Sequence, residues 1–124
     1  MTGMTILGLH HVQLAMPRGR EEDARRFYCG VLGFEERPKP ANLARRGGAW
    51  FQAGTAEIHL GVEDEFRAAK KAHPALLVHN LADVAARCEA AGFPTTSDEQ
   101  LPGYDRFYVE DPFGNRIELL EPLP

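Results

Sequence analysis

The sequence lacks the features that define several large classes of protein. Among its 124 residues there are only two cysteines, Cys29 and Cys88, and no Cys-x-x-Cys pair, so a disulfide framework is not expected. No stretch approaches the roughly 18 apolar residues that cross a membrane. Residues 1–5 also lack the cationic start and apolar run of a signal peptide, so we expect the protein in the cytoplasm.

The chain also lacks an excess of positive charge. Its 14 Lys and Arg residues are outnumbered by 18 Asp and Glu residues, which gives a formal net charge of −4. Proteins that bind nucleic acids or anionic membranes carry a basic face, so neither partner is expected. The length and the 44% content of hydrophobic residues suit a single domain over residues 1–124.

What the sequence does contain is an internal repeat. Gly33-Phe34 and Gly92-Phe93 each end a helical pattern, and the two pairs are 59 positions apart. The same offset superposes residues 57–60 (Glu-Ile-His-Leu) on residues 116–119 (Arg-Ile-Glu-Leu). The repeat predicts two modules, at about residues 5–63 and 73–122, joined by a linker at about residues 63–72.

Hydrophobic periodicity predicts the order β-α-β-β-β in each module. The predicted elements of the first module are strands at Leu9–Met16, Phe34–Arg37, Ala49–Ala53 and Glu57–Val62, a helix at Arg20–Leu32 and a loop at Lys39–Gly48. Those of the second are strands at His73–His79, Arg106–Glu110 and Asn115–Glu121, a helix at Leu81–Ala91 with Asn80 as N-cap, and an extended segment at Pro94–Gln100. The predicted fold class is therefore α+β. One module would leave a sheet face uncovered, so two modules must pair, within the chain or across a dimer.

Four residues of metal-ligand types occupy equivalent places in the two modules. His11 and His73 begin the first strands, and His59 and Glu118 lie in the last strands. Strand alternation puts all four on the polar faces, while aliphatic neighbours take the opposite faces. A buried carboxylate among imidazoles needs a cation or hydrogen bonds to compensate its charge. Three imidazoles and one carboxylate suit Zn²⁺, Fe²⁺, Ni²⁺, Co²⁺ or Mn²⁺, so we predict a divalent metal site.

The other two histidines are not predicted to be ligands. His10 would point to the opposite face from His11, and His79 would lie at the far end of the strand that His73 begins. We therefore expect structural roles for both.

Three sequence segments resemble the vicinal oxygen chelate superfamily, which includes glyoxalases, bleomycin-resistance proteins and extradiol dioxygenases. They are Leu-His-His-Val-Gln-Leu at residues 9–14, Phe27-Tyr28 before Leu-Gly-Phe at residues 32–34, and Asp-Pro-Phe-Gly-Asn-Arg-Ile-Glu-Leu at residues 111–119. The resemblance runs from about Leu9 to Glu121. It implies two tandem β-α-β-β-β modules that form an incomplete barrel around a metal site, usually in a homodimer.

The resemblance also implies roles for particular residues. His11, His73 and Glu118 match the metal ligands of the superfamily. His59 stands where glyoxalase I enzymes have a fourth ligand, commonly glutamate, which is also their proposed proton shuttle. His59 is thus either a metal ligand or a general base, and lactoylglutathione lyase activity is not expected. His59 and Glu118 are the candidate catalytic residues.

Four further residues are candidates for the substrate pocket. Gln13 and Arg116 share the polar faces with the ligands, and Tyr108 lies in the predicted strand Arg106–Glu110. Arg116 suits an anionic substrate or forms a salt bridge to a nearby carboxylate. Trp50 forms an apolar wall of the pocket or packs in the core, as does its neighbour Phe51.

The leading functional hypothesis is a divalent-metal-dependent enzyme of lyase, isomerase or dioxygenase type. Its small-molecule substrate would bind the metal through two neighbouring oxygens, and the metal would act as a Lewis acid. The alternatives are a metal-free drug-binding protein of the bleomycin-resistance type, a two-histidine, one-carboxylate iron dioxygenase, and a fosfomycin-type thiol transferase. The sequence leaves open whether the site forms within one chain or between two.

Overall fold

Two open sheets, one from each half of the chain, form the framework of the computed structural model, which describes residues 3–124. The first half contains β1 (Val12–Met16), α1 (Glu21–Tyr28), β2 (Glu35–Arg37), α2 (Ala41–Ala44), β3 (Ala49–Ala53) and β4 (Ala56–Val62). The second half contains β5 (Ala75–Leu77), α3 (Leu81–Ala90), β6 (Thr95–Thr96), β7 (Tyr104–Glu110) and β8 (Arg116–Pro122). The predicted α+β class is confirmed.

Each sheet has the same strand order. The first is β1-β4-β3-β2 and the second is β5-β8-β7-β6. In both sheets the first strand of the module pairs in parallel with the last, Val12 opposite Ile58 and Ala75 opposite Glu118, and the other neighbours are antiparallel. The first strand of each module is therefore an edge strand with one unpaired side.

The first strands are shorter than predicted. β1 begins at Val12 and β5 covers only Ala75–Leu77, so His11 and His73 lie just before the strands that they were expected to begin. Side-chain alternation indicates a strand, but it does not indicate where pairing with the parallel neighbour starts. The predicted loop at residues 39–48 contains the short helix α2.

The helices agree with the predictions except at their ends. α1 stops at Tyr28 rather than Leu32, and the Phe34 N–H bonds the Tyr28 carbonyl at 2.8 Å. Gly30 weakens the helix in this turn, and Gly33, with φ at +82°, leads the chain towards β2. Asn80 is the N-cap of α3, as predicted, and its side chain accepts a hydrogen bond from the Asp83 N–H at 3.3 Å.

The two modules pack against each other within the chain. Phe27 and Tyr28 of α1 are fully buried, Phe27 packs edge-to-face on Phe93 of the second module at 4.7 Å, and the Tyr28 hydroxyl donates to Asp111 at 2.8 Å. One hydrophobic core contains residues of both modules. The modules therefore pair in one chain. Within residues 3–124 no helix is long and apolar enough to span a membrane.

Candidate metal and substrate site

On the polar face of the first sheet, His59 lies in an aromatic stack. Its side chain is only 4% exposed. Trp50, directly opposite on β3, stacks on it with ring centres 4.1 Å apart, and His11, beside the start of β1, stacks on it at 3.9 Å. These contacts restrict the ring to one orientation. Trp50 therefore contacts the candidate residue His59, whereas Phe51 is fully buried in the core.

A carboxylate also contacts His59. Glu57 Oε2 lies 2.7 Å from His59 Nε2, so a neutral ring that donates from Nε2 keeps its lone pair on Nδ1. Burial lowers the pKa of His59, and the hydrogen bond to Glu57 opposes this decrease. A neutral imidazole is the form that binds a metal or accepts a proton. Sequence reasoning placed Glu57 on the face of His59 but did not assign it a role.

In the second module His73 contacts Glu118. His73 Nε2 lies 2.9 Å from Glu118 Oε1, and His73 Nδ1 lies 3.1 and 3.0 Å from the backbone carbonyls of Lys70 and Lys71. Carbonyls only accept hydrogen bonds, so Nδ1 carries a hydrogen. A neutral ring then presents a lone pair to the carboxylate. The short Nε2–Oε1 contact needs either a second proton or a cation.

Arg106 compensates part of the charge of Glu118, a carboxylate that is 6% exposed. Its Nη1 lies 3.2 Å from Glu118 Oε2 and donates to the Tyr108 hydroxyl at 3.0 Å, and its Nη2 donates to the Glu99 carbonyl at 2.7 Å. Sequence reasoning missed Arg106. The available signal was its position two residues before Tyr108, on the same face of β7.

The predicted ligands thus occur as two pairs, His11 with His59 and His73 with Glu118. His11 and His73 line the same cleft, of about 740 Å³. Across residues 3–124, however, no three His, Cys, Asp or Glu side chains come close enough to hold one metal ion. Within the described residues the four predicted ligands therefore form two separate pairs rather than one cluster.

The remaining histidines differ in their surroundings. His10 is exposed, lines the same cleft and has its Nδ1 2.9 Å from that of His11. Strand alternation does not apply to it because it precedes β1. His79 is exposed, and its Nδ1 lies 4.0 Å from the carboxylate of Glu121.

A second cleft, of about 690 Å³, contains Tyr108 and Arg116. The Arg116 guanidinium lies over the Tyr108 ring, 5.2 Å from its centre. In the described part of the chain no carboxylate lies within 4.0 Å of Arg116, so the salt bridge considered for this residue is not formed. Gln13 is exposed and lies opposite His59 in the β1–β4 register.

Known proteins share both the fold and the sequence pattern of this chain. The model of the Glyoxalase/Bleomycin resistance protein/Dioxygenase superfamily matches residues 8–119. A glyoxalase family protein from Bacillus anthracis is 47% identical, with a TM-score of 0.93 over 98% of this chain and 100% of that one. The chain belongs to the Glyoxalase/Bleomycin resistance protein/Dioxygenase superfamily, which confirms the resemblance seen in the sequence.

More distant structures share only the fold. A fosfomycin resistance protein from Listeria monocytogenes is 17% identical, with a TM-score of 0.75 over 96% of each chain. An antibiotic binding protein from Streptomyces sp. CB03234 is 20% identical, with a TM-score of 0.71 over 98% of this chain and 100% of that one. The comparison with curated proteins gives no significant match. The fold thus occurs in both a resistance protein and a binding protein.

Proposed function

We propose that this chain is a divalent-metal-dependent enzyme that acts on a small substrate through two neighbouring oxygens of that substrate. His11, His73 and Glu118 hold the metal, and His59 is a fourth ligand or a general base. The contact between His73 and Glu118 carries the proposal. The hydrogen on His73 Nδ1 faces backbone carbonyls, so its Nε2 lone pair and Glu118 Oε1, 2.9 Å apart, form a pair of donor atoms for a cation.

The surrounding residues support this division of roles. A bound divalent ion supplies Lewis acidity, which stabilises negative charge on substrate oxygens. Arg106 occupies Glu118 Oε2 and leaves Oε1 for ligation. Glu57 accepts from His59 Nε2, so Nδ1 of His59 is the atom that would take a proton from the substrate or bind the ion. Trp50 keeps that ring in place by stacking.

We further propose that the protein acts as a homodimer in which two chains complete the site. Four large apolar residues before β1 are 83–90% exposed, and Leu77 on the edge strand β5 is 71% exposed; the four are Met4, Ile6, Leu7 and Leu9. Single exposed apolar residues are common, but four within six positions beside two free strand edges are typical of an interface. The same segment leads directly into His11. We also propose a cytoplasmic location, with which two free thiols are compatible.

Metal content tests the proposal. Purified protein is reconstituted separately with Zn²⁺, Fe²⁺, Ni²⁺, Co²⁺ and Mn²⁺ and analysed for bound metal, and its molar mass is measured by light scattering. We expect about one tightly bound ion per chain in the wild type and loss of that ion in His73→Ala and Glu118→Gln. His79→Ala, which changes an exposed histidine outside the site, is the matched control and should load normally. Metal-free wild type, or equal loading of all variants, would contradict the proposal.

A metal-free binding protein is the second candidate, and the ion pair between Arg106 and Glu118 favours it. Arg106 already compensates the buried carboxylate, so Glu118 is tolerated without a metal. In that case ligands bind with unchanged affinity after chelator treatment, and the metal analysis above finds none. Thiol transfer to fosfomycin is tested separately by survival of cells that express the chain.

A further inference from the structure

Within residues 3–124, Arg116 is a cation without an ion-pair partner, and it lies in a cleft that contains carboxylates. The strand register places Glu110 directly opposite Arg116, yet Glu110 pairs with Lys70 at 2.8 Å instead. Asp98, which also lines the cleft, accepts hydrogen bonds from the Glu99 N–H at 2.7 Å and from the Tyr108 hydroxyl at 3.3 Å. Among the described residues the Arg116 side chain has neither an ion pair nor a hydrogen bond.

We propose that this cleft binds the carboxylate of a monoanionic ligand with an apolar body, and that the Arg116 guanidinium is the partner of that carboxylate. The proposal rests on the proposed function only in treating this ligand as the substrate.

The position of the guanidinium is restricted by the Tyr108 ring beneath it, 5.2 Å away. Cation–π contact of this kind holds an arginine without using its hydrogen-bond donors. Its planar group presents two parallel N–H groups, which match the two oxygens of a carboxylate. Arg116 is half-buried, so part of the surrounding water is already excluded.

The rest of the cleft determines the kind of anion. Three acidic residues, Asp98, Glu110 and Asp111, line the cleft, and they disfavour a doubly charged group such as phosphate more strongly than a singly charged one, because each carboxylate adds like charge nearby. Four apolar residues, Phe93, Pro94, Val109 and Pro112, line the cleft together with the small polar residues Thr96 and Ser97. A singly charged carboxylate on an aromatic or aliphatic body satisfies both surfaces.

The cleft lies beside the His73–Glu118 pair. Arg116 and Glu118 are two residues apart on one face of β8, a spacing of about 6.6 Å in a strand. Tyr108 lies opposite Glu118 in the register, and its ring centre is 5.5 Å from that of His73. A carboxylate held by Arg116 therefore leaves the remainder of a small ligand within reach of the candidate metal ligands.

Benzoate and its neutral isostere benzamide test the proposal. Binding is measured by NMR titration of ¹⁵N-labelled protein in the presence of a chelator, at constant ionic strength. We expect benzoate to bind at least about tenfold more tightly than benzamide, as a charge-assisted bidentate pair implies. Arg116→Gln should abolish this preference. Arg18→Gln, which changes an exposed arginine paired with Asp64, is the matched control and should retain it.

Equal affinities for the two compounds in the wild type, or a preference that persists in Arg116→Gln, would overturn the proposal. If Arg116→Gln does not fold, the Arg116 Nε–H resonance of the wild type provides the test instead. We expect its chemical shift to change during the benzoate titration, and an unchanged chemical shift would overturn the proposal. Benzoate binding that appears only after Zn²⁺ is added would assign the carboxylate to the metal and also overturn it. A wild type that binds benzoate but no metal would contradict the proposed function alone.

Discussion

The hydrogen bond between Tyr28 and Asp111 joins the two modules, and its removal is the most direct test of how they pair. The Tyr28 hydroxyl donates to Asp111 Oδ2 at 2.8 Å, and both residues are buried. Asp111 also accepts from the backbone N–H groups of Phe113 and Asn115 and from the Asn115 side-chain amide, at 2.8 to 2.9 Å. Tyr28→Phe removes one of these four bonds and keeps the ring that stacks on Phe51.

The size of the effect follows from the charge of the acceptor. Hydrogen bonds to charged groups contribute about 1.5–3 kcal/mol. Asp111 keeps three donors in the variant, so we expect the lower part of this range, about 1.5–2 kcal/mol. With a urea m-value of about 1.5–2 kcal/mol/M, the unfolding midpoint should fall by about 1 M.

The effect should also depend on pH. Burial raises the pKa of Asp111, and its hydrogen bonds oppose this rise. A folded-state pKa above the unfolded value means that the wild type loses stability as the pH rises from about 3.9 through the folded pKa. Tyr28→Phe removes one opposing bond and extends this loss to higher pH. Below the folded pKa the hydroxyl faces a neutral carboxyl, so the difference between the two proteins should shrink to about 1 kcal/mol.

Urea unfolding followed by circular dichroism measures both the loss of stability and its pH dependence. The protein concentration is kept fixed, because the stability of a dimer depends on concentration. Tyr104→Phe is the matched control, because the Tyr104 hydroxyl has no hydrogen-bond partner within residues 3–124. Its effect should stay within about 0.5 kcal/mol. A Tyr28→Phe midpoint equal to that of Tyr104→Phe would refute the reasoning.

Two further predictions concern backbone geometry and a helix end. Gly48 has φ at +82°, and a Cβ there would overlap the Leu60 carbonyl, so Gly48→Ala should lower the free energy of unfolding by about 3 kcal/mol or more. Gly54 has φ at +56° but lies in open space, so Gly54→Ala should lower it by only about 1–2 kcal/mol. Equal urea unfolding midpoints for the two variants would contradict the argument. At the start of α3, Glu121 accepts hydrogen bonds from the backbone amides of Asn80, the N-cap, at 2.8 Å and of Leu81, the first helical residue, at 3.0 Å. These bonds lower the pKa of Glu121. The stabilising effect of the Glu121 carboxylate is therefore present above about pH 4.3 and lost as the pH falls through its folded-state pKa. Glu121→Gln should be less stable than the wild type at pH 7 but equally stable below that folded-state pKa. A stability difference that does not change with pH would contradict this prediction.

The repeat and the strand alternation account for most of what could be predicted. The offset between the glycine-phenylalanine pairs correctly indicated two modules with the same strand order, although the first module also contains α2. Alternation separated Ile58 and Ile117, which are buried in the core, from the polar residues beside them. The Asn80 N-cap was also predictable, because capping depends on one side chain and the amides that follow it. Each of these features follows from patterns that can be read along the sequence without knowing which distant residues come into contact.

The candidate site was only partly predictable for the same reason. The sequence by itself determined the residue types, the modules that carry them and the faces on which the last-strand residues lie. Only the tertiary structure decided that Trp50 stacks on His59 and that Arg106 binds Glu118. It also decided that Glu110 pairs with Lys70 rather than with Arg116, and that the modules pack within one chain. Such contacts join side chains from different strands and loops, and their partners depend on where strand pairing begins and on competition among nearby charges. Local sequence pattern records neither.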